Sequence, residues 1–473
     1  MKEHKPEIIN DALQRKNTLI AATSAAFITP FMASSINLAI PSIGKQFGAG
    51  AFQLGWVVTG YLLTSAAFLL PFGKLADIIG RRRVFITGIM LFSTLSFICG
   101  FSRTIEMLIA VRLLQGVAAA MIFGTSIAIL TSVFPASERG RVLGINSASV
   151  YVGLSLGPVL GGALNHQFGW QSIFFANTII GIIALFFVRR LKGEWVGTPG
   201  EKYDFIGSLL YSAGLVSLMY GISSITNSVW AKMFIFMGGV LLGIFVVYDM
   251  RTEFPLFNIR LFISNATFTF SNLAALINFS ATFAVGYLLS IYLQTVQGYD
   301  SQFSGIVLLA QPLIMAVVSP VAGRMSDRVQ PRKIASAGMA LTMVALLVFS
   351  QISRQTSLYV LVLSLLLFGT GLALFSSPNT NAVMGAVERM YYGVASSTLG
   401  TMRLVGQAVS MAVVTLLMAV YLGDIELTAA PLDSLLTSMR ILFYIFAALC
   451  FAGIFASLAR GNVTRLERKK KKN

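Results

Sequence analysis

Of the 473 residues, 11% are charged and 56% apolar, whereas a soluble protein of this size carries about a quarter charged residues. Such a chain cannot cover itself with a water-facing surface, which excludes a soluble enzyme or binding module. The net charge of +17 raises nucleic acid as a partner, so the placing of the basic residues has to decide between that and a membrane.

Apolar stretches long enough to cross a hydrocarbon core of about 30 Å recur from end to end. They fall near 18–40, 53–71, 84–101, 106–133, 142–164, 170–188, 205–224, 231–249, 265–293, 304–322, 334–352, 358–378, 394–420 and 438–459. The expected class is all-α, a polytopic membrane protein of 14 transmembrane helices. With the N-terminus inside, 28 of the 35 Lys and Arg lie in inner segments and four in or beside outer loops. Only Arg112, Arg403 and Arg440 remain within spans. That asymmetry obeys the positive-inside rule, places both termini in the cytoplasm and leaves no nucleic-acid surface. Trp56, Trp170, Trp195 and Trp230 stand at or just beyond span ends, as interfacial anchors do. The polar residues 1–17 precede a full-length span, so the first helix is read as uncleaved. Cys99 and Cys450 lie in separate spans and the histidines are His4 and His166 alone, so neither a disulfide nor a metal site is expected. The run Arg468 to Lys472 reads as a solvated topology signal, with docking on anionic lipid heads as the other reading.

The chain repeats itself at long offset. Gly73-Lys-Leu-Ala-Asp77-Ile-Ile-Gly80-Arg81-Arg82-Arg83 and Gly323-Arg-Met-Ser-Asp327-Arg-Val-Gln-Pro-Arg332-Lys333 share one register 250 residues apart. Gly144 to Gly157 aligns with Gly393 to Gly406 at 249. Parallel halves of this kind place a binding cavity between them near the midplane. The division expected is a cytoplasmic tail 1–17, a six-helix bundle 18–190, two inserted helices within 191–264, a second six-helix bundle 265–460, and a basic cytoplasmic tail 461–473.

These residues resemble the major facilitator superfamily, and within it the fourteen-helix drug:proton antiporters. Gly73 to Arg83 looks like that family's loop motif, Arg112-Leu-Leu-Gln115-Gly116 like its fourth-helix motif, and Gly153-Leu-Ser-Leu-Gly157-Pro158-Val-Leu-Gly161-Gly162 like its helix-five antiporter motif. Pro255 to Phe262 and Ser377 to Gly385 are similar to segments of the fourteen-helix branch. The resemblance covers essentially the whole chain. It implies a secondary active exporter of small amphiphilic organic compounds in the cell (inner) membrane, with the lipid bilayer as surroundings and protons as coupling ion. No cofactor and a monomeric state are expected. An importer or facilitator of a metabolite, or a non-transporting sensor on the same fold, stays open beside it. No sizeable soluble output domain argues for the sensor.

Each motif has a physical reading. The resemblance implies that Gly73, Asp77, Gly80, Arg81, Arg82 and Asp327 form a cytoplasmic gate; physically, the glycines allow tight connections, and the aspartates can pair with a base or accept from a helix N-terminus. The plain alternative is a loop obeying charge topology. Arg112 lies well inside a span, where a charge costs about 2.5 to 3.5 kcal/mol on insertion scales, and Gln115 and Gly116 share its face. Arg403 and Gln407 repeat the arrangement. Gly153, Gly157, Pro158, Gly161 and Gly162 make a smooth, bent helix suited to a hinge between the halves. Asn37, Tyr61, Tyr151, Asn379 and Asn381 are candidate cavity residues, each also explicable as a helix-to-helix contact. Gly153-Leu-Ser155-Leu-Gly157 mimics a hydrolase elbow but lies in an apolar span without a histidine base.

One departure matters. Met32 stands where such antiporters carry a first-helix Asp, and no carboxylate lies near a span midpoint, with Glu106 and Asp249 only at span ends. Glu106 or Asp77 is therefore the expected proton carrier, if protons are coupled. Reporters fused near residue 10 and after residue 473 should both read cytoplasmic, and an external signal from either contradicts the fourteen-span reading.

Overall fold

The computed structural model describes residues 12–134, 136–190, 193–196, 201–225, 228–257, 259–387, 392–423, 425 and 431–460. The architecture is helical. In chain order the helices are α1 (Ala12–Phe47), α2 (Ala51–Ile79), α3 (Arg81–Gly100), α4 (Ile105–Val133), α5 (Ala136–Phe168), α6 (Gln171–Arg189), α7 (Phe205–Ser223), α8 (Ala231–Arg251) and a short α9 (Ile259–Ser264). There follow α10 (Ala266–Thr282), α11 (Val285–Ile291), α12 (Ser301–Leu308), α13 (Ala310–Arg328), α14 (Pro331–Phe349), α15 (Leu358–Gly385), α16 (Tyr392–Leu422) and α17 (Leu432–Leu458). Among the described residues, 13 stretches are long and apolar enough to cross a membrane, with α10–α11 and α12–α13 each forming one of them.

Several helix N-termini are capped by short polar side chains, each of which satisfies a backbone N–H that has no helical partner. Thr104 Oγ1 accepts from the Met107 N–H at 3.2 Å, Asp204 Oδ1 from Gly207 at 2.8 Å, and Asp300 Oδ1 from Phe303 at 2.7 Å. Gly80, with φ +117°, makes the turn from α2 to α3 that an L side chain rarely adopts.

Two groups of helices use the same partner scheme. In the first, α1 packs on α5 and α6, α2 on α4, and α3 on α4 and α6. In the second, α10 packs on α16 and α17, α13 on α15, and α14 on α15 and α17. The glycines of the repeat explain the closeness: a Cβ on Gly153 would sit 2.6 Å from the Phe27 carbonyl oxygen of α1, and one on Gly406 2.7 Å from the Leu276 carbonyl oxygen of α10.

Two expectations change in detail. The first helix is longer than 18–40, running through Pro30 and Pro41. The stretch 265–293 is not one helix, because it breaks at Phe283 and Ala284, in a turn between α10 and α11. No proline lies at that break. Ser410 of α16 accepts the Ala284 N–H at 3.1 Å, so a tertiary partner replaces the helical one.

The α7–α8 pair leans on both groups, with α7 against α2 and α16. Its grip on α2 follows from Pro71, which has no N–H for the carbonyl four residues earlier. That carbonyl, of Ala67, accepts the Ser212 hydroxyl of α7 at 2.7 Å, and the adjacent Ala66 carbonyl accepts Tyr211 Oη–H at 3.1 Å. Asp249 Oδ1 then accepts the Phe257 N–H at 2.9 Å, drawing the far end of the linker after α8 back onto that helix. Tyr211→Phe and Ser212→Ala should each cost about 0.6 to 1.5 kcal/mol, read as thermal unfolding in detergent. An unchanged double variant contradicts the assignment of these bonds as the anchor of α7.

Candidate functional site

Arg112 is fully buried between α2, α3 and α4. Its Nε–H donates to the Val57 carbonyl of α2 at 3.0 Å and its Nη1 to Gln115 Oε1 at 2.6 Å. Gln115 Nε2 in turn donates to Ser96 Oγ of α3 at 2.7 Å, and that hydroxyl donates to the Phe92 carbonyl at 2.8 Å. The guanidinium carbon lies 4.1 Å from the centre of the Tyr61 ring. Two charge-assisted bonds and a desolvated cation–π contact, the latter worth about 2 kcal/mol, offset the burial of the charge.

Gly116 lets this happen. A side chain there would overlap Thr64 and the Tyr61 carbonyl, so α4 can approach α2 only with glycine at this position. Thr64 Oγ1–H and Ser65 Oγ–H then donate to the Leu113 and Gly116 carbonyls at 2.7 and 3.1 Å. The fourth-helix motif thus holds a fixed positive charge inside the first helix group. Arg112 Nη2 and the Tyr61 hydroxyl remain without a protein partner among the described residues. Both are buried and unspent in this arrangement of the helices. Met32 points away from this cluster, accepting a weak contact from Asn177 Nδ2 of α6 at 3.8 Å.

The second candidate region is the seam between the helix groups. Pro41 leaves the Asn37 carbonyl of α1 without its helical donor, and Ser290 Oγ–H of α11 fills it at 2.7 Å. Gln294 Nε2 donates to the Leu38 carbonyl at 3.2 Å, and Ser301 Oγ–H of α12 to the Gly162 carbonyl of α5 at 3.0 Å. Thr59 of α2 and Thr415 of α16 share a hydrogen bond of 3.2 Å. Gly305 of α12 has room for no side chain against the Pro158 carbonyl. All these contacts lie within about ten residues, or roughly 15 Å, of the helix ends opposite the Gly73–Arg83 loop. Among the described residues, no hydrogen bond or ion pair joins the two groups at the loop's own end, the basic end.

At the basic end each group is tied to itself. Asp77 Oδ1 accepts Arg81 Nε–H at 2.7 Å, and Arg81 Nη1 donates to Ser132 Oγ of α4 at 2.6 Å. The N-terminus of α3 is served by Glu194, whose Oε1 accepts the Arg82 N–H at 2.8 Å, and Lys74 pairs with Glu201. In this structure the loop motif holds α2, α3, α4 and the linker around Glu194 and Glu201 together, and among the described residues it makes no bond to the second group. A Cβ on Gly73 would meet nothing within 4 Å, although its backbone lies against Gly124 of α4, whose own Cβ would sit 3.2 Å from the Gly73 Cα.

Other expected site residues distribute as follows. The helix-five glycines split by face: Gly153, Gly157 and Gly161 pack on α1 within one group, and only Pro158 and Gly162 face the other. The expectation of a single hinge stripe between halves is corrected accordingly, since a five-residue spacing turns a helix to another side. Asn37 sits in the seam with its amide oxygen unpartnered. Asn381 donates to Ser326 Oγ at 2.5 Å, near the basic end, which makes it a link between α15 and α13 and removes it from a midplane cavity. Asn379 is buried one turn from Phe375. Arg403 lies with its guanidinium carbon 5.4 Å from the Phe279 ring centre, and Gln407 is buried one turn further on. Glu106 is exposed opposite the basic end and accepts from Gln53 Nε2 at 3.2 Å. The side chains of Tyr151 and Asp327 lie outside the described residues. Sequence reasoning missed Ser290, Ser301, Thr59, Thr415 and Glu194. Pro41 alone marks a carbonyl in need of a donor, and its partner is some 250 residues away in the chain.

Matching helix groups meeting at such a seam define a helical membrane carrier and not an enzyme. A protein-family model described as Major Facilitator Superfamily matches residues 22–411 and again 271–473. The chain belongs to that superfamily and is a transporter of small molecules. The riboflavin transporter RibZ of Clostridioides difficile (strain 630) is 30% identical, covering 94% of this chain and 97% of that protein. The cephamycin export protein CmcT of Amycolatopsis lactamdurans is 32% identical over 84% of this chain and 83% of its own. The multidrug resistance protein Stp of Mycobacterium tuberculosis (strain CDC 1551 / Oshkosh) is 32% identical over 86% and 76%. Among solved structures, a bacterial homologue of the human lysosomal transporter Spinster shares the fold, with TM-score 0.69, 16% identity and coverage of 95% and 99%.

Arg112→Ala should abolish transport while leaving the chain inserted and folded, and Arg112→Lys should retain little, because an ammonium lacks the planar fork that reaches Val57 and Gln115 together. Wild-type transport by the Ala variant would reduce Arg112 to a packing residue.

Proposed function

We propose that this chain is a secondary active exporter of amphiphilic organic compounds working by alternating access. The observation that carries the reading is the one-ended seam: polar contacts between the helix groups at the end opposite the basic loops, and none between described residues at the basic end. A carrier whose two groups rock about a central site has one end joined and the other parted in each of its end states.

In this reading the chain has fourteen spans, the 13 apolar stretches plus the 33-residue α5. They are arranged as α1–α6, an inserted α7–α8 pair, and α10–α17 as six further spans. The basic end is cytoplasmic by the positive-inside rule, so the structure is read as parted toward the cytoplasm. Export as the direction is supported by the helix-five motif and by relatives named for cephamycin export and multidrug resistance.

The preferred cargo is neutral or anionic. Arg112 and Arg403 are charges inside the helix groups, while Asp77 is engaged by Arg81 and Glu106 is exposed at the surface. A dication would find no buried carboxylate near the midplane to replace its hydration. Full-length similarity to a riboflavin transporter favours a second reading, in which a heteroaromatic compound of that size is the cargo.

Proteoliposomes with an imposed pH gradient test both readings, using a monocation, a dication, an anionic dye and riboflavin. The anionic or neutral compounds should move and the dication poorly, and Glu106→Gln or Asp77→Asn should weaken any dependence on the gradient. Robust proton-driven dication transport that survives both substitutions contradicts the charge preference. No movement of any compound contradicts the transport reading of this panel.

A further inference from the structure

Arg460 follows α17 at the basic end and is 1% exposed, yet among the described residues Nε, Nη1 and Nη2 all lack a hydrogen-bond partner. Its backbone is pinned, since Thr267 Oγ1–H of α10 donates to its carbonyl at 2.7 Å. Its guanidinium carbon lies 5.9 Å from the Phe375 ring centre of α15. Ser336 of α14 and Ser457 of α17 close the same region with a hydrogen bond of 2.9 Å. Four helices therefore enclose a cation whose five donors the described protein leaves unused.

Burial without partners is costly for a guanidinium. The same burial pushes the Arg460 pKa down to about 9, so the residue stays charged at neutral pH. The described acidic side chains of this helix group, Asp300 and Asp433, stand at the opposite end, and Asp433 is engaged by Arg354. Two further polar groups lie nearby in the register. Ser271 is one turn along α10 from Thr267, and Asn379 is one turn along α15 from Phe375. Both are buried, and Ser271 Oγ and Asn379 Oδ1 have no partner.

We propose that Arg460, with Ser271 and Asn379, forms a binding site for a phosphate-type oxyanion at the basic end of the second helix group. The guanidinium fork supplies paired donors to two oxygens. The Ser271 hydroxyl supplies a third donor, and Asn379 Oδ1 accepts an O–H from the ligand, as a monoprotonated phosphate or a phosphoglycerol head carries. The oxyanion has two sources, a phospholipid headgroup at this membrane face or free phosphate, and the chemistry of the site is common to both.

The test compares the full chain with Arg460→Met, which keeps the stem and removes the charge, and with Arg460→Gln in case the first variant fails to fold. Thermal unfolding is followed in detergent with inorganic phosphate, and in nanodiscs of phosphatidylglycerol or phosphatidylcholine. Bound phosphatidylglycerol is counted by native mass spectrometry. Wild type should be protected by phosphatidylglycerol, and the variants should bind the active probe about tenfold more weakly or worse, as expected for lost charge-assisted bonds. Protection by phosphate as well as by phosphatidylglycerol supports a site open to free oxyanions. Protection by phosphatidylglycerol alone supports a headgroup site. The proposal is overturned if no probe protects wild type, or if wild type and variants respond equally.

Discussion

A proline inside a membrane helix strands one carbonyl, and lipid offers nothing to fill it. Two such carbonyls organise this transporter. Pro71 frees Ala67, which takes the Ser212 hydroxyl and so seats α7 on α2. Pro41 frees Asn37, which takes the Ser290 hydroxyl and so joins the first helix group to the second. The first bond lies between an accessory helix and one group. The second lies across the boundary that a carrier must open. A hydroxyl-to-carbonyl bond of this kind contributes of the order of 1 kcal/mol, strong enough to choose a partner and weak enough to be exchanged in a cycle.

The Arg112 cluster serves a different purpose from the seam. Its bonds to Val57 and Gln115, and the Gln115–Ser96 link behind them, keep a full positive charge in place within one helix group. The stacked Tyr61 ring covers the charge on one side. These partners all belong to α2, α3 and α4, so under the proposed alternating access the charge moves with its own group. Under the proposed cycle, Nη2 and the Tyr61 hydroxyl are the atoms of the cluster that the described protein leaves unspent.

Much of this was legible in the chain. The apolar stretches, the basic asymmetry and the 250-residue repeat point to the helix groups, and the paired packing of α5 on α1 and α16 on α10 follows from glycines at matching positions. Arg112 with Gln115 was legible because a charge inside a span requires a near partner, and a residue three positions on shares its face. The seam was not, because Ser290, Ser301 and Thr415 are ordinary hydroxyl residues whose partners are distant in the chain. The break between α10 and α11 was hidden for a similar reason, since its compensation comes from Ser410 on another helix. Asn381 looked like a cavity residue by its polarity alone, and its Ser326 partner shows its amide spent on holding α15 to α13.

The central claim is that the seam parts at one end as the basic end closes. Double electron–electron resonance between spin labels, in a background lacking Cys99 and Cys450, measures this directly. One label pair belongs at Lys45 and Phe303, opposite the basic end, and another at Arg83 and Lys333, at the basic end; Lys45, Phe303, Arg83 and Lys333 are all exposed. During turnover with a transported compound, the first distance should lengthen in the same population in which the second shortens. Two distances that stay fixed, or that change in the same direction, would contradict the account.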